Sequence, residues 1–134
     1  MIVSDVMTVN PITASSTSTI FDVMERMAQE DIRHMPVVDR HELVGFLSDR
    51  DLRAYSFELM LEAPESAKAK LKKPVSDVMS GDVLSVEPET DLADVCDLLI
   101  ENKVGAVPVV DPVEGNLVGI VSYIDVLRAA RDSL

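Results

Sequence analysis

Basic residues and cysteines are scarce in this chain of 134 residues, and each scarcity argues against a class of function. Only 12 Lys and Arg stand against 24 Asp and Glu, which gives a formal net charge of −12. Nucleic-acid binding needs clustered bases that neutralise phosphates, so the charge argues against a nucleic-acid partner, and equally against an anionic membrane surface. The single Cys96 cannot form an internal disulfide, which fits a reducing cytoplasm. Its helical apolar surroundings predict a buried thiol.

Long apolar segments and catalytic patterns are missing as well. No apolar run approaches the ~20 residues of a membrane span, and the N-terminus lacks the basic region of a signal peptide. There is no Gly-rich phosphate loop and no recognisable pairing of nucleophile and base. His34 and His41 lack a third His or a Cys with which to hold a metal. We therefore expect a cytoplasmic protein without enzymatic activity and without a metal.

The chain contains a tandem repeat. The sequence "VSDVM" at 3–7 recurs at 75–79, and "PVVD" at 36–39 recurs at 108–111, both at an offset of 72. A two-residue insertion then raises the offset to 74, which aligns "LVG" at 43–45 with 117–119. The repeat predicts three segments: a first copy at 1–56, a connector at 57–73 that is helical on both sides of Pro64, and a second copy at 74–134.

Each copy predicts the order β-α-β-β-α. A short strand ("PITA" or "VLSV") precedes an amphipathic helix, two further strands follow, and a second helix opens at Ser48 or Ser122. Thr90 followed by Asp91 predicts the N-cap of the first helix in the second copy. One copy is too small to bury both faces of its sheet. We therefore expect an α+β fold in which the two copies pack around a pseudo-two-fold axis, with clefts at their junction that favour ligands.

The second helix of each copy follows a repeated pattern, "GFLSDRDL" at 45–52 and "GIVSYIDVL" at 119–127. One interpretation is a capping box, in which the serine and the aspartate satisfy free N–H groups of the first turn. The other interpretation is a ligand site. A helix N-terminus with a serine hydroxyl suits a phosphate, an aspartate one turn later can accept from two ribose hydroxyls, and the preceding glycine leaves room for a flat base. The residues leave both interpretations open.

The duplicated β-α-β-β-α copy, the "PVVD" strand and the Gly-x-x-Ser-x-x-Asp ending resemble a tandem pair of CBS domains, a Bateman module, over nearly the whole chain. The resemblance implies a regulatory module that binds AMP, ADP, ATP or S-adenosylmethionine in clefts between the copies, requires no cofactor, and forms a homodimer. An unknown effector protein would receive the signal. The implied ligand-binding residues of the first cleft are Ser48, Asp51, Thr13, Met35 and Pro36, and those of the second are Ser122, Asp125, Ser85, Val107 and Pro108.

The two clefts are expected to differ in charge. Five of the seven arginines and both histidines lie between residues 26 and 53. Arg50 would place a cation beside the phosphate, with Arg33, His34 and Arg53 nearby. The second copy has Ile124 in place of Arg50 and Gly105-Ala106 in place of Arg33-His34. We expect the first cleft to prefer a nucleotide phosphate and the second to bind more weakly. The alternative function is a ligand-free dimerisation or interaction scaffold, in which the Ser-x-x-Asp segments only cap helices.

Overall fold

The computed structural model describes all residues from 1 to 134 and has a mixed α+β architecture, as expected. Its helices are α1 (Ile20–Gln29), α2 (Asp49–Met60), α3 (Pro64–Leu71), α4 (Leu92–Asn102) and α5 (Tyr123–Ser133). Its strands are β1 (Thr8–Val9), β2 (His34–Asp39), β3 (Glu42–Ser48), β4 (Ala106–Val110) and β5 (Leu117–Ser122). Two short 3₁₀ helices, Val3–Asp5 and Val75–Asp77, lie within the "VSDVM" segments. None of the helices combines the length and apolar character needed to cross a membrane.

The chain divides into two compact units. The α1–α3 unit comprises residues 12–40 and 44–83, and the α4–α5 unit comprises residues 1–11, 41–43 and 84–134. Each unit takes its "VSDVM" segment from the opposite sequence copy, 75–79 in the α1–α3 unit and 3–7 in the α4–α5 unit. The compact units are therefore not the two sequence copies, and the division into 1–56, 57–73 and 74–134 remains a prediction about the repeat.

The α1–α3 unit is built on the amphipathic helix α1, strand β2 and residues 44–48 of β3, which pairs with β2 in a two-stranded sheet. Arg40 and His41 connect the strands with positive φ angles of 52° and 70°, as a two-residue type I′ hairpin turn requires. Helix α1 begins after Thr19, whose hydroxyl accepts from the Asp22 N–H at 3.1 Å. The predicted apolar stripe of α1 faces the core, which contains Ala14, Ile20, Val23, Met27, Met35, Val37, Leu47, Leu52 and Val75.

The α4–α5 unit contains a three-stranded antiparallel sheet in the order β1–β5–β4. Ile120 in β5 lies between Thr8 of β1 and Pro108 of β4 in the register. The first copy thus supplies an edge strand, β1, to the sheet of the second. Helix α4 packs beside α5. The core contains Val3, Val86, Leu92, Val95, Leu99, Val107, Val109, Val121 and Ala129.

The predicted first strands "PITA" and "VLSV" are wrong as strands. Each is reduced to one parallel bridge, Ala14 with Val37 and Val86 with Val109. The Ala14 N–H donates to the Pro36 carbonyl at 3.0 Å, and the Ala14 carbonyl accepts from the Val38 N–H at 2.8 Å. The chain then turns at once, because the Ser15 N–H donates to the Ser18 hydroxyl at 3.1 Å. The serine-rich sequence that signals the coming helix therefore also ends the strand.

Two expectations about α4 are also wrong. Asp91, not Thr90, is the N-cap, and its carboxylate accepts from the Ala93 N–H at 3.2 Å. The Thr90 hydroxyl instead accepts from the Glu87 N–H at 3.0 Å and so stabilises the preceding turn. Cys96 is half-buried rather than buried. It follows the fully buried Val95 by one position, about 100° further around the helix, and so lies at the edge of the core-facing stripe.

The strand glycines Gly45 and Gly119 make room for methionines of the "VSDVM" segments. A Cβ at Gly45 would overlap the Met79 side chain, and a Cβ at Gly119 would lie 2.8 Å from both the Met7 sulfur and the Thr8 carbonyl oxygen. Both distances are shorter than van der Waals contact. The idea that these glycines leave space for a flat base is therefore corrected, since protein atoms occupy that space in both units.

The connector is helical on both sides of Pro64, as predicted. Helix α2 continues to Met60, and α3 begins with Pro64 at its first turn, where a missing N–H costs nothing. The Lys70 ammonium reaches back to the Glu62 carboxylate, which also accepts from the Ser66 hydroxyl at 2.9 Å. Lys70 first, and then Ser66, lower the pKa of Glu62.

Candidate functional site

The first turn of α2 begins at Ser48. This residue has extended backbone angles, φ −117° and ψ 151°, and its hydroxyl oxygen accepts from the Asp51 N–H at 3.1 Å. The Asp51 carboxylate is exposed, and no hydrogen bond within the α1–α3 unit engages it or the Ser48 hydroxyl proton. The capping box is therefore only half formed. The Ser48 hydroxyl proton and the Asp51 carboxylate therefore have no hydrogen-bond partner within this unit.

The first turn of α5 has the same spacing and a complete capping box. The Ser122 hydroxyl accepts from the Asp125 N–H at 3.3 Å. In return, the Asp125 carboxylate accepts from the Ser122 N–H at 2.8 Å and from the Ser122 hydroxyl at 3.1 Å. The Asp125 side chain is only 11% exposed, with Arg128 at 3.9 Å. Ser122 and Asp125 therefore largely satisfy each other.

A third instance of the pattern was missed by sequence reasoning. Thr19 and Asp22 at the start of α1 have the same spacing, and Thr19 accepts from the Asp22 N–H as Ser48 does from Asp51. The Asp22 carboxylate is exposed as well. Spacing and exposure alone thus describe a helix cap. What distinguishes a ligand site must come from the surrounding residues.

The start of α2 differs from that of α1 in its neighbours. The Asp49 N–H donates to the Arg33 carbonyl at 2.7 Å, which fixes the end of the α1–β2 loop against α2. His34 follows and stacks on Phe46 with ring centroids 5.8 Å apart. Burial is the main cause that lowers the pKa of His34 below 6.5, and Arg33 adds to it, while Asp49 and then Asp51 oppose the shift. The imidazole therefore lies within electrostatic reach of both aspartates.

The charges at this helix start balance. Asp49 and Asp51 lie in the first turn, and Arg50 lies between them with an exposed side chain. Arg53 is paired with Asp49 at 2.9 Å and is 79% exposed, so it is already engaged. A helix N-terminus that carries two carboxylates would repel a phosphate unless cations offset them. Arg50 lies in this turn and Arg33 adjoins it through the Asp49 N–H, and neither forms an ion pair within the unit. At α5 the corresponding positions hold Ile124 and Gly105.

The structure distributes the remaining predicted residues between surface and core. Thr13 and Ser85 are exposed. Met35 and Val107 are buried in the cores of their units, and Pro36 and Pro108 are fully buried. The carbonyls of the two prolines accept from the N–H groups of Ala14 and Val86, both at 3.0 Å. Side-chain contact with a ligand at these four positions would need rearrangement. No three His, Cys, Asp or Glu side chains converge as metal ligands.

Comparisons with known proteins agree with this architecture. The family model for the CBS domain matches residues 3–58 and 75–132. The CBS domain-containing protein YhcV of Bacillus subtilis is 32% identical over 123 residues, which cover 92% of this chain and 81% of YhcV.

Two solved structures superpose over almost the whole chain. The crystal structure of CBSX2 in complex with AMP has a TM-score of 0.84 at 33% identity and covers 98% of this chain and 96% of CBSX2. The CBS domain pair of protein MJ0100, in complex with 5′-methylthioadenosine and S-adenosyl-L-methionine, has a TM-score of 0.80 at 26% identity and covers 100% and 98% of the two chains. The resemblance read from the sequence is confirmed, and the chain belongs to the CBS domain family, of which it carries two copies.

Proposed function

We propose that the chain is a ligand-sensing regulatory module whose α1–α3 unit binds an adenosine compound at the start of α2. The observation that carries this proposal is the contrast between the two Ser-x-x-Asp turns. Ser48 and Asp51 keep a free hydroxyl proton and a free carboxylate, whereas Ser122 and Asp125 hydrogen-bond to each other. The structures of CBSX2 with AMP and of MJ0100 with S-adenosyl-L-methionine support the adenosyl class.

Each group at the start of α2 has a role that its chemistry allows. The Asp51 carboxylate accepts from the two ribose hydroxyls, and the Ser48 hydroxyl donates to a phosphate oxygen. Arg50 supplies a cation to that phosphate. His34 adds a donor when protonated, which a nearby phosphate would favour. Thr13 and the backbone at Met35 and Pro36 are assigned to the base side of this site.

The α4–α5 unit is proposed to hold a weaker site. Ser122 and Asp125 would have to release their mutual hydrogen bonds before they could bind a sugar and a phosphate, and that release costs free energy. The corresponding base contacts would come from Ser85 and from the backbone at Val107 and Pro108. No arginine replaces Arg50, so a ligand with less negative charge suits this unit better.

The regulatory role requires more than binding. A ligand shifts a conformational equilibrium only if it favours one arrangement over the other. A homodimer partner or a separate effector protein would then respond to the favoured arrangement. We propose that the chain itself performs no catalysis, needs no cofactor and acts in the cytoplasm, as its single cysteine predicts.

A ligand-free dimerisation scaffold is the second candidate function. Ser48 caps α2 in the way that Thr19 caps α1, and the end of α2 exposes Phe57, Met60 and Leu61, which are 65%, 80% and 77% exposed. Helix capping and an apolar contact surface would account for these features without any ligand. Because a sensor can dimerise too, only the response to a ligand separates the two candidates.

A thermal-unfolding panel with AMP, ADP, ATP and S-adenosylmethionine tests the proposal. A ligand at 100 times its dissociation constant should stabilise the fold by about 2.7 kcal/mol, which raises the melting temperature by several degrees. Asp51→Ala should remove this shift. Asp22→Ala is the matched control, because it removes the same first-turn carboxylate from an identically capped helix. An unmoved melting temperature with every ligand, or equal losses in both variants, would favour the scaffold.

A further inference from the structure

A cavity of about 290 Å³ lies in the α1–α3 unit between α1, the loop at 31–33 and the first two turns of α2. Its apolar surface includes Met24 and Met27 from α1 and Leu52 from α2. The cavity includes Asp49 and Arg33, which adjoin the nucleotide site, but none of the residues proposed to contact the nucleotide directly. The cavity is therefore a neighbouring but distinct feature of the unit.

Helix geometry separates the cavity from the nucleotide site. Asp49, Leu52 and Arg53 line the cavity, and their i, i+3, i+4 spacing places them on one face of α2. Asp51 is two residues after Asp49, about 200° around the helix, and so lies on the other side. The same helix turn can thus serve two ligands at once.

The rim of the cavity carries one unpaired charge of each sign. Arg53 and Asp49 form a salt bridge at 2.9 Å and neutralise each other. Asp31 and Arg33 also line the cavity but form no ion pair within the unit. These two residues are separated by a single residue, so their Cα atoms lie within about 7 Å of each other. A small ligand can therefore reach both charges.

The other copy shows that the fold does not require these charges. The positions that correspond to Asp31, Arg33, Asp49 and Arg53 hold Lys103, Gly105, Tyr123 and Leu127 in the α4–α5 unit. Helices α4 and α5 still pack together there. The charged cavity is therefore a property of one copy, and the fold shared by both copies does not need its acidic and basic groups.

We infer that this cavity binds a free α-amino acid with an apolar side chain. The ligand carboxylate pairs with Arg33, its ammonium group pairs with Asp31, and its side chain lies on Met24, Met27 and Leu52. Methionines are flexible and polarizable, so they accept several apolar shapes. A volume of about 290 Å³ is at the lower end of ligand pockets and suits a molecule of this size. This site does not depend on the nucleotide proposal.

Isothermal titration with leucine and methionine tests the inference, and two analogues of leucine test the charge pair. The analogue 4-methylpentanoate lacks the ammonium group, and leucinamide lacks the carboxylate. The variants are Arg33→Gln and Asp31→Asn. Asparagine suits position 31 because the φ angle there is 51°, a conformation that asparagine tolerates. Arg26→Gln is the matched control, since Arg26 is exposed on α1, lies 3.7 Å from Glu30 and does not line the cavity.

The expected result is binding of leucine or methionine to the wild type. Each analogue, and each of the two variants, should weaken binding at least tenfold, while Arg26→Gln leaves it unchanged. The inference is overturned if neither amino acid binds. It is also overturned if 4-methylpentanoate binds as tightly as leucine, or if Arg26→Gln weakens binding as much as Arg33→Gln does.

Discussion

The starts of α2 and α5 share a sequence pattern and a position in their units, yet they use it differently. At the start of α5 the Ser122 hydroxyl accepts from the Asp125 N–H, and the Asp125 carboxylate accepts from the N–H and the hydroxyl of Ser122. In α2 only the aspartate N–H is engaged, by Ser48. The residues between the two fixed positions change from Tyr123 and Ile124 to Asp49 and Arg50. The same motif is thus completed by its own hydrogen bonds in one copy, whereas in the other its hydroxyl proton and carboxylate have no partner within the unit.

The same comparison extends to the surroundings of each turn. His34 and Arg33 adjoin the start of α2, and Ala106 and Gly105 take their places in the other copy. Three charged or ionisable side chains, counting Arg50, therefore occur in one copy only. A phosphate would find compensating cations at α2 and none at the corresponding positions of α5.

The largest expected difference between the copies concerns their strand glycines. Gly119→Ala should reduce the free energy of unfolding by about 1–3 kcal/mol, because its Cβ meets the Thr8 carbonyl, which belongs to the backbone of β1. Gly45→Ala should cost less, since it meets only the flexible Met79 side chain. Urea unfolding of the two variants measures both losses. Equal losses would show that Met79 is held as rigidly as the β1 backbone.

Next in size is the contribution of the two aspartates to stability without ligand. Asp125→Ala should cost about 1 kcal/mol, because it removes the acceptor of two hydrogen bonds from a half-buried cap. Asp51→Ala should reduce the free energy of unfolding by only a few tenths of a kcal/mol, because it removes a carboxylate that interacts with the helix dipole. Thermal unfolding of both apo variants is the measurement. A larger loss for Asp51→Ala would mean that its carboxylate is structural and not free.

Arg50, the cation in the first turn of α2, can be removed from one copy, and an arginine can be introduced at the corresponding position of the other. Arg50→Ala should weaken AMP binding roughly fivefold and leave adenosine binding unchanged, because an exposed charge acts mainly on the phosphate and is partly screened. Ile124→Arg should strengthen AMP binding to the α4–α5 unit by a comparable factor. Titrations with AMP and with adenosine provide the readout. Equal loss of both ligands in Arg50→Ala would contradict the phosphate role.

The smallest expected effect is a pH dependence that comes from His34 in the α1–α3 unit. Because burial lowers the pKa of His34 below 6.5, the unfolded chain binds more protons than the folded one as the pH falls through 6.5. The free energy of unfolding should therefore decrease below about pH 6.5. His34→Gln should lose less stability than the wild type over the same pH range. If the free energy of unfolding falls more steeply with pH in the variant than in the wild type, folding does not lower the pKa of His34.

Much of this architecture was predictable because the repeat fixes it twice. Two aligned copies of the apolar stripe and of the strand pair identify the helices and the strands independently, and their agreement excludes chance. The extent of the first strands was not predictable. A run such as "PITA" has the composition of a strand, but a serine side chain beyond it competes for the backbone and turns the chain after one bridge.

The candidate site was only partly predictable for a related reason. Ser48 and Asp51 follow from the motif, yet no sequence pattern says whether a capping box is complete or half formed. The glycines were misread because the residues that fill their space, Met7 and Met79, are distant in sequence. The aspartate of the repeated "PVVD" also has a different partner in each copy. Asp39 accepts from the Ser16 hydroxyl, which is distant in sequence, whereas Asp111 accepts from the Glu114 N–H in the turn that follows it. Long-range partners decide these roles.

The most direct test of the account compares two isosteric variants for AMP binding. Asp51→Asn and Asp125→Asn each keep the side-chain size and remove one charge, at matched positions of the two helix starts. We expect Asp51→Asn to weaken the tighter AMP site at least tenfold in isothermal titration, and Asp125→Asn to leave that site unchanged. Tight AMP binding that survives Asp51→Asn, or is lost in Asp125→Asn instead, would contradict this expectation.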